Sequence, residues 1–211
     1  MRLLCLDSST AALTVALVTE GETAAAIDAE VGIRHGELLA PAVRDVLAAS
    51  PGPLDGVAVG LGPGPFTSLR VGIATAAALA DAHGVPAYGA CSLDLLAGPD
   101  VVVVQDARRR EVYWAAYGAD GRRTSGPHVS AREPIELPPG LAVRGAGAVL
   151  LGLPEPPPDQ RWPRAAALWG LVADRFGAGP GDRDVLAPLY LRRPDAQEQP
   201  ARRPLPPDVP R

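Results

Sequence analysis

The stretch GLGPGPFTSLRVGIATAAAL, residues 60–79, joins an apolar strand to a long helix through a loop of two glycines and two prolines. A helix N-terminus presents unpaired N–H groups and a partial positive charge, so such a loop can bind phosphate. The Walker pattern G-x-x-x-x-G-K-[ST] is absent because the chain has no lysine, and Thr67 occupies the third glycine position of G-x-G-x-x-G. Neither phosphate-binding motif explains the stretch.

The helix that follows is predicted over residues 65–83 and is apolar nearly all round, since Arg70 and Asp81 are its only formal charges. Gly64 is predicted to cap it and Pro65 to be its first residue, where a missing N–H costs nothing. Such a helix must be enclosed on all sides, either inside its own domain or against another chain. The pattern alone leaves both alternatives open.

The side chains of this helix make its burial favourable. Three large apolar residues, Phe66, Leu69 and Ile73, are each worth roughly 1.5–3 kcal/mol when buried, against a net domain stability of about 5–15 kcal/mol. Small residues spaced four apart form a flat stripe that another backbone can approach closely. The stripe consists of Gly72, Ala76 and Ala80.

The rest of the first half predicts a meander of three strands, a helix and two further strands. The strands are Leu3–Asp7, Leu13–Thr19, Thr23–Ala29, Gly56–Leu61 and Val85–Gly89. Apolar residues at helical spacing predict the helix over Gly36–Ala49, in which Pro41 fits only near the first turn or with a kink.

The pattern starts again after Gly98 and Pro99. An apolar strand ends on Asp106, as the first strand of the chain ends on Asp7, and a second strand follows it. The predicted elements of this half are the strands Val101–Gln105, Glu111–Tyr117 and Leu141–Gly145 and an amphipathic helix, Arg164–Phe176, closed by Gly177. Two halves with similar beginnings indicate a duplicated unit of sheet and helix.

The composition is that of a globular protein, with 47% hydrophobic and 21% charged residues. All cations are arginines, which indicates genome composition bias rather than function. A formal net charge of −4 argues against a standalone nucleic-acid-binding protein. The cluster Arg108–Arg110 is interpreted as a solvated turn, with a contribution to a shared basic surface as the alternative.

The two cysteines, Cys5 and Cys91, lie in or near apolar segments without metal-ligand spacing. They are predicted to be reduced core thiols of a cytoplasmic protein. The apolar run before Asp7 is too short for a signal peptide, and no apolar stretch is long enough to span a bilayer. We therefore expect no membrane association.

Five motifs in order along the chain resemble the TsaB (YeaZ) family, the bacterial partner subunit for threonylcarbamoyl-adenosine modification of tRNA. They are LDSSTAALTVAL, RHGELLAPAV, GPGPFTSLRVGIATAAALA, DARRREVYWAAY and PLYLRR. The resemblance extends from about Met1 to Arg193. The loop-helix motif is its most specific part, because many sugar kinases share the DSST of the first motif.

The resemblance implies an α/β fold of the actin-like, Hsp70-like (ASKHA) class, with two lobes built from a duplicated unit of mixed sheet and helices. The expected domains are an N-terminal lobe with the docking helix at residues 1–98 and a C-terminal lobe at residues 99–193. A flexible tail rich in proline and arginine is expected at residues 194–211.

The function implied by the resemblance is that of a non-catalytic scaffold and activator that forms a heterodimer with TsaD, with TsaE as a third partner. The complex would transfer threonylcarbamoyl to the adenosine beside the anticodon of ANN-decoding tRNAs. We expect the chain to contact tRNA only through this complex. A homodimer of the chain alone is the alternative assembly when the partner is missing. Neither a cofactor nor a metal is expected.

The resemblance also favours the docking alternative for the helix at residues 65–83, because in the family this helix packs against the equivalent helix of TsaD. The expected interface residues are Phe66, Thr67, Leu69, Arg70, Ile73, Ala76, Ala77 and Ala80. The family motif GPGSFTGLR is GPGPFTSLR here, so Pro65 replaces a serine and Ser68 a glycine. The family often has lysine at the position of Ala77, and it usually has serine at the position of Gly36.

The main alternative is an ATP-dependent enzyme of the sugar-kinase type. The residues Asp7, Ser8, Ser9 and Thr10 match the first phosphate loop of actin-like folds. The second loop requires glycines after its aspartate so that backbone N–H groups can reach the phosphates, whereas Asp106 is followed by alanine and arginines. The four residues are therefore interpreted as a possible vestigial nucleotide-binding loop.

A glycoprotease-like (M22-type) peptidase is the other enzymatic alternative. TsaD, the catalytic relative, binds its metal through a histidine pair with the spacing H-x-x-x-H. In this sequence His35, His83 and His128 are far apart. The G-x-S-x-G motif of serine hydrolases is absent from the sequence as well. We therefore expect no catalytic residues.

Overall fold

The computed structural model describes residues 1–133, 135, 137–175 and 186–192, which form two sheets with helices packed on them. The first sheet has the strand order β3-β2-β1-β4-β5. Its strands are β1 (Arg2–Asp7), β2 (Ala12–Thr19), β3 (Glu22–Glu30), β4 (Gly56–Gly60) and β5 (Ala87–Ala90). The predicted meander is confirmed, because β2 pairs antiparallel with both β1 and β3.

Two helices make the parallel crossovers of this sheet. Helix α1 (His35–Ala49) precedes β4, and helix α2 (Phe66–His83) connects β4 to β5. Pro41 lies inside α1, in its second turn. Pro65 precedes α2 in an extended conformation, with ψ of 132°. The predictions that Gly64 caps the helix and that Pro65 is its first residue were therefore both wrong by one position. Pro65 acts instead as the flanking residue whose carbonyl accepts a hydrogen bond from Leu69 N–H, at 3.0 Å.

The second sheet has the strand order β8-β7-β6-β9. Its strands are β6 (Val101–Asp106), β7 (Glu111–Tyr117), β8 (Arg123–Ala131) and β9 (Ala142–Arg144). The strand β8 is not predicted by the sequence, because it is largely polar and contains Gly126 and Pro127. An edge strand tolerates both residues, because only one of its sides must join the hydrogen-bond ladder.

Both sheets repeat one plan, in which three antiparallel strands continue into a parallel strand. In the first sheet β1 pairs with β2 antiparallel and with β4 parallel, and in the second β6 pairs in the same two ways with β7 and β9. The predicted α/β fold of the actin-like class, built from a duplicated mixed sheet with helices, is confirmed.

The first sheet is covered on both faces, as the alternation along β1 requires. Leu4 and Leu6 pack in the core with α1 and α2, whereas Leu3 and Cys5 point to the opposite face. Three residues from the C-terminal part of the chain cover that opposite face: Ala165, Leu168 and Val172. A segment from the second half of the sequence therefore completes the core of the first sheet.

The predicted helix at residues 164–176 is a series of short helical turns. A 3₁₀ turn (Ala165–Ala167), helix α4 (Leu168–Val172) and another 3₁₀ turn (Ala173–Arg175) follow one another, and helix α3 (Pro158–Arg161) precedes them. The helix predicted over residues 164–176 was expected to end at Phe176 and Gly177, which lie outside the described residues. The predicted tail at residues 194–211 lies outside them as well. The lobe boundaries at residues 98 and 99 stay predictions.

Both cysteines are free and buried, as predicted. Burial raises the pKa of the Cys5 thiol far above its ordinary value. Burial, and then the nearby Asp94 carboxylate, raise the pKa of Cys91 to about 11. A thiol with so high a pKa forms little reactive thiolate.

Candidate functional site

One face of helix α2 packs against the first sheet of its own chain. Four of the eight expected interface residues lie on this inner face: Leu69, Ile73, Ala76 and Ala80. Their exposed fractions are 0%, 7%, 0% and 1%, and all four belong to the core that contains Leu4 and Val59. Their side chains are therefore packed within their own chain, and only a movement of α2 away from the sheet would expose them to a partner.

The stripe of small residues on α2 also faces inward. A Cβ atom added to Gly72 would lie 2.2 Å from Ser8 Oγ, and Ser8 Oγ donates a 2.8 Å hydrogen bond to the Ser68 carbonyl. Gly72 therefore admits the loop after β1. The close approach of another backbone that the stripe predicts is made, at Gly72, by this loop of the same chain, whose Ser8 backbone nitrogen lies 3.9 Å from the same Cβ position.

The outer face of α2 is exposed, and three of its six residues are alanines. It carries the other four expected interface residues, Phe66, Thr67, Arg70 and Ala77, together with Ala74 and Ala78. Alanine side chains project little from a helix, so this surface is flat and a second helix could approach it closely. We call these six residues the outer face of α2.

Phe66 and Arg70 form a cluster with Tyr190 at the start of this face. The rings of Phe66 and Tyr190 stack, with centroids 4.8 Å apart. The Arg70 guanidinium lies 3.6 Å from the Phe66 centroid, and its Nε donates a 2.9 Å hydrogen bond to Tyr190 Oη. Phe66 and Tyr190 nevertheless remain 40% and 39% exposed. The cluster is thus ordered by its own contacts and still accessible.

A cleft of about 550 Å³ lies beside this cluster, between the starts of α1 and α2. Phe66, Thr10 and Arg108 are among its lining residues, as is Ile33, whose side chain is 93% exposed. His35, which also lines it, is buried; its Nε2 lies 3.3 Å from the Ala12 carbonyl and its Nδ1 has no hydrogen-bond partner. The cleft therefore adjoins the outer face of α2.

The four residues of the possible vestigial phosphate loop are all buried, with Asp7, Ser8 and Ser9 at most 2% exposed. Asp7 Oδ1 accepts hydrogen bonds from Ser9 N–H at 2.9 Å and Ser9 Oγ at 2.7 Å, and Oδ2 accepts one from Ser92 Oγ at 2.6 Å. Burial raises the pKa of Asp7, and these hydrogen bonds and nearby His35 oppose that shift. The carboxylate is thus held by groups of its own chain.

The equivalent loop of the second sheet is the hairpin between β6 and β7. Asp106 Oδ1 accepts hydrogen bonds from Arg108 N–H at 2.8 Å and from Arg132 Nη2 at 3.0 Å. The three residues Arg108–Arg110 are exposed, which confirms the predicted turn, and each has φ between 54° and 61°. Arginine side chains occupy the place where a phosphate loop needs bare backbone.

Two residues were not predicted from the sequence: Tyr190, beside the outer face, and Ser92, beside Asp7. Tyr190 lies 120 residues from its partner Arg70, and Ser92 lies 85 residues from Asp7. Tyr190 belongs to the quoted motif PLYLRR, but no local pattern indicates where that motif packs. Ser92 follows β5 and carries no motif of its own.

The described residues contain no group of three or more histidine, cysteine, aspartate or glutamate side chains placed to hold a metal ion. In the same part of the chain, no helix combines the length and apolarity that crossing a membrane requires.

Comparison with known proteins adds independent information. A family model described as "TsaD: tRNA N6-adenosine threonylcarbamoyltransferase" matches residues 29–133. An uncharacterized protein of Mycobacterium tuberculosis is 45% identical, with 92% of this chain and 93% of that protein covered. The "tRNA threonylcarbamoyladenosine biosynthesis protein TsaB" of Escherichia coli is 35% identical, with 57% of this chain and 56% of that protein covered.

Among solved structures, YeaZ from Pseudomonas aeruginosa is similar over almost the whole of both chains. The TM-score is 0.74 and the sequence identity 30%, with 90% of this chain and 100% of that chain covered. The similarity therefore includes both sheets and is not confined to the loop-helix motif. From its sequence and its structure alike, the chain belongs to the TsaB (YeaZ) family.

Proposed function

We propose that this chain is a non-catalytic subunit in tRNA threonylcarbamoyladenosine biosynthesis and that it binds a TsaD homologue through the outer face of α2. The relatives named TsaB are described as proteins of this pathway. The complex would modify the adenosine beside the anticodon of ANN-decoding tRNAs, with a TsaE homologue as its third member. The chain would contact tRNA only within that complex.

The observation that carries the proposal is the division of α2 into two faces. The inner face holds the helix on its own sheet, and the outer face leaves exposed alanines between Arg70 and the end of the helix. Two helices pack with axes about 8–10 Å apart, and small residues allow the closer of these distances. Phe66 and Arg70 add an aromatic ring and a guanidinium, which are frequent among the residues that dominate binding energy.

The state of the two phosphate loops supports a role without ATP chemistry. Asp7 is hydrogen-bonded within its own chain and buried, and the hairpin after Asp106 presents arginines in place of glycines. An actin-like enzyme of the sugar-kinase type needs both loops open to the phosphates. We therefore favour a subunit that positions and stabilises its partner.

The test is co-purification of the chain with the TsaD homologue encoded in the same genome, followed by a nucleoside assay of the modified tRNA. Ala74→Glu places a charge at the middle of the outer face, where glutamate is a good helix former and should leave the fold intact. It should abolish both co-purification and tRNA modification. The matched control is Ala119→Glu in the exposed turn after β7, which should change neither.

The proposal fails if Ala74→Glu co-purifies as well as the unmodified chain does. It also fails if the unmodified chain does not bind the TsaD homologue at all. Far-ultraviolet circular dichroism and a melting curve of each variant would separate lost binding from lost folding.

A further inference from the structure

The segment Leu186–Arg192 runs across both halves of the molecule. Leu186 packs against the core of the first sheet, and Leu189 N–H donates a 2.8 Å hydrogen bond to the carbonyl of Leu61, just after β4. Leu189 and Leu191 pack against the core of the second sheet. We call this segment the strap.

Tyr190 anchors the strap at the start of α2. Tyr190 stacks on Phe66 and accepts the hydrogen bond from Arg70 Nε, and Arg70 in turn lies over the Phe66 ring. Each member of this cluster contacts the other two. Removal of the tyrosine ring would leave Phe66 stacked only by the guanidinium and Arg70 without its hydrogen-bond acceptor.

Arg192, two residues further on, anchors the strap at the hairpin between β6 and β7. Arg192 Nη1 donates a 2.9 Å hydrogen bond to the Ala107 carbonyl, and Arg192 also forms an ion pair with Glu111. The Arg192 side chain is 28% exposed and that of Glu111 is 35% exposed, so water screens this pair only in part. The two anchors of the strap are only two residues apart, because Tyr190 and Arg192 are separated by Leu191 alone.

We propose that the strap couples the start of α2 to the β6–β7 hairpin, and that Tyr190 is a positioning residue that holds Phe66 and Arg70 in place for partner binding. Two anchors on so short a piece of chain cannot move independently, since one residue of extended backbone spans only about 3.3–3.6 Å. Loss of either anchor therefore loosens both the contact at the start of α2 and the contact at the hairpin. The coupling is a property of the chain alone, whereas the part concerning partner binding rests on the proposed function.

The cluster is suited to partner binding because its two rings are ordered before the partner arrives. An exposed side chain that must be immobilised on binding lowers the affinity roughly two- to twelvefold. In the free subunit, the ring stack and the Arg70 hydrogen bond already immobilise these side chains. Loss of Tyr190 should thus weaken binding even where Tyr190 itself touches no partner residue.

Hydrogen exchange measured by mass spectrometry on the isolated chain tests the coupling. Arg192→Ala removes the hairpin anchor only, and it should speed exchange both at residues 106–111 and at residues 66–70 at the start of α2. The matched control is Arg122→Ala, in an exposed turn where the arginine side chain is 90% exposed. Faster exchange confined to residues 106–111 would overturn the coupling.

Affinity for the TsaD homologue tests the positioning role. Tyr190→Ala should weaken binding roughly fivefold or more, the loss that marks an energetically important interface residue. Tyr190→Phe keeps the stacked ring and should recover most of that loss. Tyr190→Ala with unchanged affinity would overturn the positioning role. If the unmodified chain itself fails to bind, the proposed function falls, and the exchange experiment still decides the coupling.

Discussion

The Ser92 hydroxyl donates a 2.6 Å hydrogen bond to Asp7 Oδ2, across 85 residues of sequence. The same hydroxyl oxygen accepts a 3.0 Å hydrogen bond from the Gly62 N–H. Ser92 thus joins the end of β1 to the loop that leads into α2. A polar group buried in this way stays favourable only while its hydrogen bonds are made, so the arrangement fixes the loop relative to the sheet.

Asp7 should make the stability of the protein depend on pH. Burial raises its pKa in the folded state above the ordinary value of 3.8, despite opposing hydrogen bonds. The folded state therefore holds this proton more tightly than the unfolded state, and the associated stability is lost as pH rises through the folded pKa. Asp7→Asn lacks this titration, so its melting temperature relative to the unmodified chain should increase from pH 4 upward.

Melting curves of the two proteins between pH 4 and pH 8 provide the measurement. Asp120→Asn, at a carboxylate that is 65% exposed, controls for the removal of one negative charge. A difference between Asp7→Asn and the unmodified chain that is constant with pH, or that shrinks as pH rises, would contradict the prediction.

Two glycine substitutions should act in opposite directions. Gly72→Ala places a Cβ atom 2.2 Å from Ser8 Oγ, within the packed contact between α2 and the loop after β1. It should destabilise the protein by about 1–3 kcal/mol, the usual cost of overpacking. Gly36→Ala, in the first turn of α1, meets nothing within 4 Å and should stabilise by at most about 1 kcal/mol. Denaturant unfolding of both variants checks the pair, and equal effects would refute the close contact.

The sequence predicted most strands because their apolar runs are clear, as in β1 and β6. It could not predict β8, whose residues are polar because the strand lies at a sheet edge. It also could not divide α2 into faces. Ala76 is buried and Ala77 exposed, yet the two residues have the same side chain, so composition carries no signal. Tyr190 joins the site through a contact between distant parts of the sequence, which no local pattern encodes.

The isolated chain should show no ATP turnover. Asp7 is held by Ser9 and Ser92, and the hairpin after Asp106 carries arginine side chains where phosphate would approach. Phosphate release by the purified chain, measured with and without Mg²⁺, should equal the background without protein. Turnover that Asp7→Ala abolishes would instead favour the sugar-kinase alternative.

Ile73 should prove to be a stability residue rather than an interface residue. Its side chain is 7% exposed and lies in the core between α2 and the first sheet. Ile73→Asp removes apolar contacts and buries an unpaired carboxylate, so we expect a loss of several kcal/mol. In a domain of this size each kcal/mol lowers the melting temperature by about 2–4 °C, which predicts a fall of roughly 10 °C or more, or no folded protein. Ile73→Val keeps the apolar contact and should cost only about 0.5–1.5 kcal/mol.

Melting curves, together with co-purification with the TsaD homologue, distinguish the two faces of α2. Ile73→Asp should lose its fold, whereas Ala74→Glu should melt normally and lose only its partner. A folded Ile73→Asp variant with a normal melting temperature would mean that the inner face is not held on the sheet as described.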